Sequence, residues 1–499
     1  MGIIHRRGGI IGPGRLNDRR TSRGASATEH ACESFVAVAV FVTLLLWAIP
    51  ASAACTGSSP NLTAPTWNDV AACHSAARDG DKITVTPGSY TVTGQTSITK
   101  FVTLVGTGVT LSYNFSTDHM LAITESTVGS TSVQGFTVVR GTSAPPAGSA
   151  LGMIGVFPHA TPNDDGQPVL ITGNTFKQDA TGDTLHFFTN RGVVWNNTAS
   201  GTPWGPNCFN TASFIRQKNG ALFTSWTTPA TYGNADTTGT GAVYAENNTL
   251  INVMEGAFDC DDNCRIVIRY NTLTNSTITT HGDTSTPGGR YVEVYNNTFI
   301  RDESPVPSCS SNLPANLGAP WIVLRAGTML VHDNVLPRNV TAAWGDKGSM
   351  GAVVFLLRRQ VSPYPCWGTL TPGSYPAPYQ PGWGYITGGT RAGETNVFMD
   401  SEPMYIWNNT GTGATIFYVG DYDCGGYLAC PNCAACPTAA NFIQQGRDYF
   451  IGTAKPGYAP YTYPHPLTGL ASSVSAPAPT PSSPPPPSAP PAPSGLTVK

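Results

Sequence analysis

From about residue 170 the chain repeats one phrase: an apolar β-type run whose alternate positions turn polar or aromatic, then Asn, Thr and a large apolar residue or its substitute. It reads Leu170-Ile171-Thr172-Gly173-Asn174-Thr175-Phe176 and again Val193-Val194-Trp195-Asn196-Asn197-Thr198. Further copies centre on Asn248, Asn271 and Asn297, with weaker echoes at Asp333-Asn334 and Asn408-Asn409-Thr410. The steps between successive Asn residues are 23 (174 to 197), 51 (197 to 248, taken as two turns), 23 (248 to 271) and 26 (271 to 297). A period of some two dozen residues with one strand-turn-strand phrase per copy marks a solenoid, because each copy can bury its apolar face only against the next.

The phrase has its own physics. Asn tolerates the left-handed backbone of a sharp corner, and its side-chain amide can bond to the Asn above it, so stacked corners give an asparagine ladder. Two positions on, Phe176, Leu250, Leu273 and Phe299 point inward and stack as a continuous core. On the strand before the corner, alternation sends Ala245, Ile268 and Val294 inward as well. The outward positions then form two columns. One holds Thr172, Trp195, Glu246, Arg269, Tyr295, His332 and Trp407; the other Leu170, Val193, Tyr244, Val267, Glu293, Leu330 and Tyr405. With rungs about 4.8 Å apart, Glu246, Arg269 and Glu293 become near neighbours in space.

The ends read differently. Residues 1–53 carry six arginines, an apolar run from Phe35 to Pro50 and Ala51-Ser52-Ala53, the parts of an export signal; an uncleaved N-terminal anchor is the competing reading. Trp67 to Cys73 reads as a short amphipathic helix capping the solenoid's open end. The solenoid spans 54–470, with longer loops at about 200–240, 302–318 and 360–395, and 471–499 is a Pro/Ser/Ala-rich linker or tail.

Composition narrows the function. Without 1–53, six of the 27 Lys and Arg and three of the 30 Asp and Glu are gone, so the remainder carries a net charge of −6; that charge excludes nucleic acid as a partner. Of the 12 cysteines, 11 lie beyond Cys32, in keeping with an oxidising compartment, and Cys55–Cys73 and Cys260–Cys264 are natural disulfide partners by proximity. Cys424, Cys430, Cys433 and Cys436 have spacing that suits disulfides or zinc.

At this point the chain resembles the pectate-lyase-like superfamily, over most of residues 55–470, in its Asn-Thr phrases, the Trp67–Cys73 cap and the Asp79-Gly80-Asp81 turn into Ile83-Thr84-Val85. The resemblance implies an all-β fold, a right-handed parallel β-helix with a short N-terminal capping helix, and a polysaccharide as partner; the signal-like segment and the cysteines place the protein at the cell surface, outside the cell or in the periplasm, and end caps that hide the solenoid's exposed edges suit a monomer. The resemblance implies no membrane association once the signal is removed. It also implies Ca²⁺, which enzymes of this kind often use to bind a uronate carboxylate. The tryptophan-rich and Asp-His motifs of the best known pectate lyases are absent, so the likeness stops at the superfamily.

Candidate chemistry follows from the stacking. Trp195, Tyr244, Glu246, Glu293, Tyr295 and His332 would line a substrate groove, with Arg269 meeting an acidic group; the plainer reading of the charges is an inter-rung salt bridge on a solvated face. Glu255, Asp259, Asp261 and Asp262 form an acidic patch; Asp259, Asp261 and Asp262 are the candidate Ca²⁺ ligands, against a turn of Asx caps beside Cys260–Cys264. His281, one rung further on, is the candidate base, with Arg269 and Arg290 to neutralise a uronate, and a solvated turn histidine is its alternative. The set points to a polysaccharide lyase working by β-elimination. The competing classes are a non-catalytic carbohydrate-binding protein and an inverting hydrolase similar to polygalacturonases, whose Asn-Thr-Asp and Arg-Ile-Lys motifs are missing.

Overall fold

A computed structural model describes residues 55–469, apart from 115–118, 141–151, 160–165, 179–181, 204–209, 211, 219–240, 255, 262–263, 281–288, 306–320, 326, 338–352, 358–380, 386–398, 412–416 and 422–442. The expected solenoid is present: a right-handed parallel β-helix with a short helix at its N-terminal end. A middle turn contributes three strands, for example Val169–Thr172, Thr175–Gln178 and Gly182–Phe187, then Gly192–Trp195, Thr198–Gly201 and Ala212–Lys218. Equivalent strands of successive turns pair in parallel, giving three faces: the first before the Asn corner, the second after it, and the third beyond a longer connection.

The cap forms where the sequence places it. A 3-10 turn, Trp67–Asp69, leads into an α-helix, Val70–Ala76. The Thr66 N–H donates to the Asp69 carboxylate at 3.0 Å, satisfying one of the free groups at the helix start. Trp67, Val70 and Cys73 are buried, and the Trp67 ring meets Phe136 edge-on at 5.9 Å. Cys55 is bonded to Cys73, which ties the chain start to the cap, and Cys260 to Cys264.

The ladder runs unbroken through Asn174, Asn197, Asn248, Asn271, Asn297, Asn334 and Asn409. Each side-chain amide donates to the next Asn Oδ1 at 2.9–3.1 Å. Each Nδ2 also reaches a backbone carbonyl on the preceding rung, as Asn271 does to Ala245 O at 2.9 Å. Two details differ from the sequence reading. The 51-residue step from Asn197 to Asn248 is one turn, not two, because the Asn197 amide bonds directly to Asn248 and Val193 pairs with Tyr244. The left-handed conformation also falls to the residue before the ladder Asn: Gly173, Asn196, Asn247, Tyr270, Asn296, Asp333 and Asn408 have φ between +52° and +62°. The corner therefore divides its labour, one residue taking the strained backbone and the next, buried, holding the amide chain.

The core follows the predicted alternation. Phe176, Ala199, Leu250, Leu273 and Phe299 are in register and buried, as are Ala245, Ile268 and Val294 on the first face. The corner between first and second faces is two residues in every middle turn, so all extra length enters at the ends of third-face strands. Twenty-one residues lie between Ile300 and Ile322, and 24 between Lys218 and Val243.

Asn271→Ala removes a buried amide that accepts from the Asn248 backbone and side chain and donates to Asn297. Chemical denaturation should show a loss of about 3 kcal/mol, since partners on two neighbouring rungs are left unsatisfied. Thr272→Ala, at the next position, should stay within about 0.5 kcal/mol.

Candidate functional site

The first-face columns stack as the sequence predicts. Trp195, Glu246, Arg269, Tyr295, His332 and Trp407 are consecutive register partners, and so are Val193, Tyr244, Val267, Glu293, Leu330 and Tyr405. His332 lies between two rings, 4.6 Å from Tyr295 and 4.1 Å from Trp407. The face is not an open groove, however. Glu246 and Arg269 have no exposure at all, and Tyr244, Glu293 and Tyr295 have at most 1%.

What covers them is the chain's own residues 455–469. Arg269 donates from Nε to Glu246 at 2.8 Å, from Nη1 to Tyr295 Oη at 2.7 Å and Tyr461 O at 2.6 Å, and from Nη2 to Glu246 and to Thr462 O at 2.8 Å. All its N–H groups are thereby engaged. The other Glu246 oxygen accepts from the His465 backbone N–H at 3.0 Å. Glu293 accepts from Tyr458 at 2.5 Å and from Tyr291. The Tyr463 ring stacks on Tyr270 at 3.6 Å, and Tyr461 and His465 lie 5.5 and 4.7 Å from the Tyr244 ring. The salt bridge expected on a solvated face is thus real but buried, with Glu293 one column over and paired elsewhere.

Burial decides the electrostatics here. Desolvation pushes the Glu246 carboxyl up from its ordinary value, against the pull of Arg269. Desolvation, with Arg269 nearby, pushes His465 down to about 4. Tyr463 is raised to about 12, first by burial and then by Glu246.

The third face carries a second cluster that the sequence reading missed in part. His186, Arg216 and Asp259 are register partners on successive rungs. Arg216 donates to Asp261 from Nε at 3.2 Å and Nη2 at 3.0 Å, and lies 3.9 Å from Asp183 and 4.0 Å from Asp259. The three carboxylates are buried, whereas the Arg216 side chain keeps 27% of its surface exposed. Burial opposes its charge, but Asp259, Asp261 and Asp183 together hold its pKa above the ordinary value. The His186 ring stands 5.7 Å from His119 and 4.1 Å from Phe188. Gly155, the register partner of His186, makes room for this pairing, since a Cβ there would come within 2.8 Å of the His119 ring.

The catalytic and metal candidates are thus redistributed. Arg269 is engaged on the first face, and Arg290 is buried in a two-pronged pair with Glu402, 2.7 Å for Nη2 to Oε1, so neither presents a free guanidinium to solvent. Asp259 and Asp261 converge on Arg216, whose guanidinium fills the position a Ca²⁺ would need, and among the described residues no group of potential ligands is arranged for a metal. The described carboxylates fit a guanidinium rather than Ca²⁺. His281, Asp262 and Glu255 lie outside the described residues, as does the Cys424–Cys436 cluster. Asp183, His119, His186 and Arg216 are not legible in the sequence because third-face strands lack the Asn-Thr phrase that makes register readable; a histidine followed by two aromatic residues, His186-Phe187-Phe188, is the local sign.

The class that fold and site define is a parallel β-helix with one sealed and one polar, partly open face. No family model matches the chain, and a search of curated proteins finds no match either. Among the described residues no helix is long and apolar enough to cross a membrane.

Two outcomes test the first-face geometry. Arg269→Met leaves the Glu246 carboxylate buried without its partner and should cost about 3–5 kcal/mol in denaturant unfolding, part of which Glu246→Gln in the same chain should recover. For pH, the His465 imidazole is neutral in the folded chain down to about 4 but takes a proton near 6.5 when released. The unfolded form then binds more protons between these values, and stability falls as pH drops from 6.5 to 4. Glu246, raised in the folded state, acts in the opposite sense above its ordinary value. Thermal melts of the parent and His465→Gln across this range isolate the histidine: the variant should lose the acid-side slope that the parent shows.

Proposed function

We propose that this is an exported, carbohydrate-active protein of the pectate-lyase-like kind, which cleaves an acidic polysaccharide by β-elimination on its third face. The observation that carries the reading is Arg216. It is a half-buried, permanently charged guanidinium braced by Asp183, Asp259 and Asp261, beside a histidine pair, on the face at whose strand ends the long connections of the middle turns enter.

Elimination from a uronate asks for two things. The sugar carboxylate must be neutralised so that the C5 proton becomes acidic, and a base must take that proton. Arg216 supplies the first through charge-assisted hydrogen bonds to the carboxylate. His186, one rung away and 6% exposed, is the base on this reading and is reached once the chain beside it gives way; the C5–H electrons form the C4–C5 double bond as the C4–O bond breaks, and the leaving oxygen takes a proton from water. The buried carboxylates hold the guanidinium in place and fully charged. Export is supported by the signal-like residues 1–53 and by two disulfides among the described residues.

A hydrolytic reading is favoured by one observation: Asp259 and Asp261 stand two apart on a single strand, project to the same side and both approach Arg216, a carboxylate pair of the kind an inverting glycosidase employs. The products distinguish the two. Incubated with pectate, alginate and glycosaminoglycans, the protein should generate the ultraviolet absorbance of an unsaturated uronate on at least one substrate. Arg216→Lys should lower kcat on it by about 100-fold, and His186→Ala by a similar factor. New reducing ends without that absorbance would instead establish hydrolysis, and neither signal on the whole panel would leave cleavage of any kind without support.

A further inference from the structure

The segment 455–469 meets the first face through contacts that belong to sugar recognition as much as to protein packing. Aromatic rings lie against its rings: Tyr463 on Tyr270 at 3.6 Å and 5.9 Å from Trp195, and Tyr461 at 5.5 Å from Tyr244. Carbonyl oxygens of Tyr461 and Thr462 accept from Arg269, the His465 N–H donates to Glu246, and the Tyr458 hydroxyl donates to Glu293. Ring faces for stacking, acceptor oxygens for a guanidinium and hydroxyl donors for carboxylates are what a chain of uronates presents.

We infer that the first face is a second glycan-binding groove, for an acidic polysaccharide, which residues 455–469 occupy as a built-in stand-in for the ligand. Trp195, Tyr244, Tyr270 and Tyr295 form the stacking platform, Arg269 takes the uronate carboxylate, and Glu246 and Glu293 accept from hydroxyls. Rings and charges stacked along one straight column, from Trp195 through Glu246 and Arg269 to Tyr295, match a polymer better than a single sugar, since successive rungs repeat at a fixed spacing. The strap is built to be displaced rather than welded in: it crosses the face as irregular chain ending in one short 3-10 turn, Pro466–Thr468, and adds no strand to either long sheet. It is joined to the solenoid through Gly452, Thr453 and Ala454, which are exposed. While it is seated, apparent affinity for the glycan is reduced by the fraction of molecules in which the groove is open.

This groove is separate from the third-face chemistry, and its test reads binding rather than cleavage. A site-specific protease sequence inserted between Thr453 and Ala454 of the full chain allows the strap to be cut free. Affinity electrophoresis in pectate, alginate and heparin, with neutral xylan as control, then compares cut and uncut protein. The cut form should bind an acidic glycan about ten-fold tighter or more, a synthetic peptide of residues 455–469 should compete for it, and Arg269→Lys should abolish the gain. If cutting unfolds the protein, Tyr458→Phe with Tyr463→Ala loosens the strap while keeping the other contacts of the face, and the same gain is expected. Folded protein with a cut or loosened strap that binds every glycan no better than the parent would overturn the inference, whatever the third-face assays give.

Discussion

The asparagine ladder is the constraint from which the rest of the structure follows. Six buried amides, Asn174 to Asn334, each donating to the next Asn and the last of them to half-buried Asn409, hold successive corners at one spacing and in one register. An unpaired amide in that position would be costly, so no turn can slip by a residue without stranding its neighbours on both sides. The ladder also forbids growth at the corner it occupies. Extra chain has to enter elsewhere, and it enters at the ends of the third-face strands, where the 51-residue step between Asn197 and Asn248 is absorbed within a single turn. A stabilising device on one edge thereby determines which face is free to vary.

The faces have accordingly taken different roles. The first is regular, aromatic and charged, and its regularity creates a wide stacking surface that residues 455–469 cover. Tyr270 shows how closely the two are matched: it adopts a left-handed backbone that a bulky side chain rarely takes, and its ring is stacked on Tyr463 of the strap. The third face is irregular, and there the protein leaves a guanidinium partly open to solvent.

Charge is scarce in this chain, 11% of residues, and the structure spends it in a few pairs. Glu246 and Arg269 are both buried, so desolvation cancels much of their attraction and the pair acts more as a register key than as a source of stability; Arg290 is buried too, against a Glu402 that keeps some exposure. Arg216 differs in kind. Three buried carboxylates surround its guanidinium, yet the side chain keeps 27% of its surface exposed. That contrast separates a cation covered by the chain's own residues from one that meets solvent.

Much of this architecture was legible in the chain itself. The Asn-Thr phrase, with apolar residues at fixed offsets, determined the parallel β-helix, the ladder, the core column from Phe176 to Phe299 and the stacking of Glu246 on Arg269, because a local period propagates into three dimensions when every turn must bury the same face. The cap at Trp67 and the two short-range disulfides were legible for a similar reason, being contacts between neighbours in sequence. Tertiary structure alone decided that Tyr461 and His465 lie over Tyr244, some 220 residues earlier in the chain. No periodic signal marks such a contact. It likewise decided that Asp259 and Asp261 face Arg216, since the third-face strands have no corner motif to set their register and long connections separate them in sequence. Periodic contacts are written in every turn of a solenoid, whereas the contacts that open or close a site are made once, between distant segments, and exist only when the whole chain is wound.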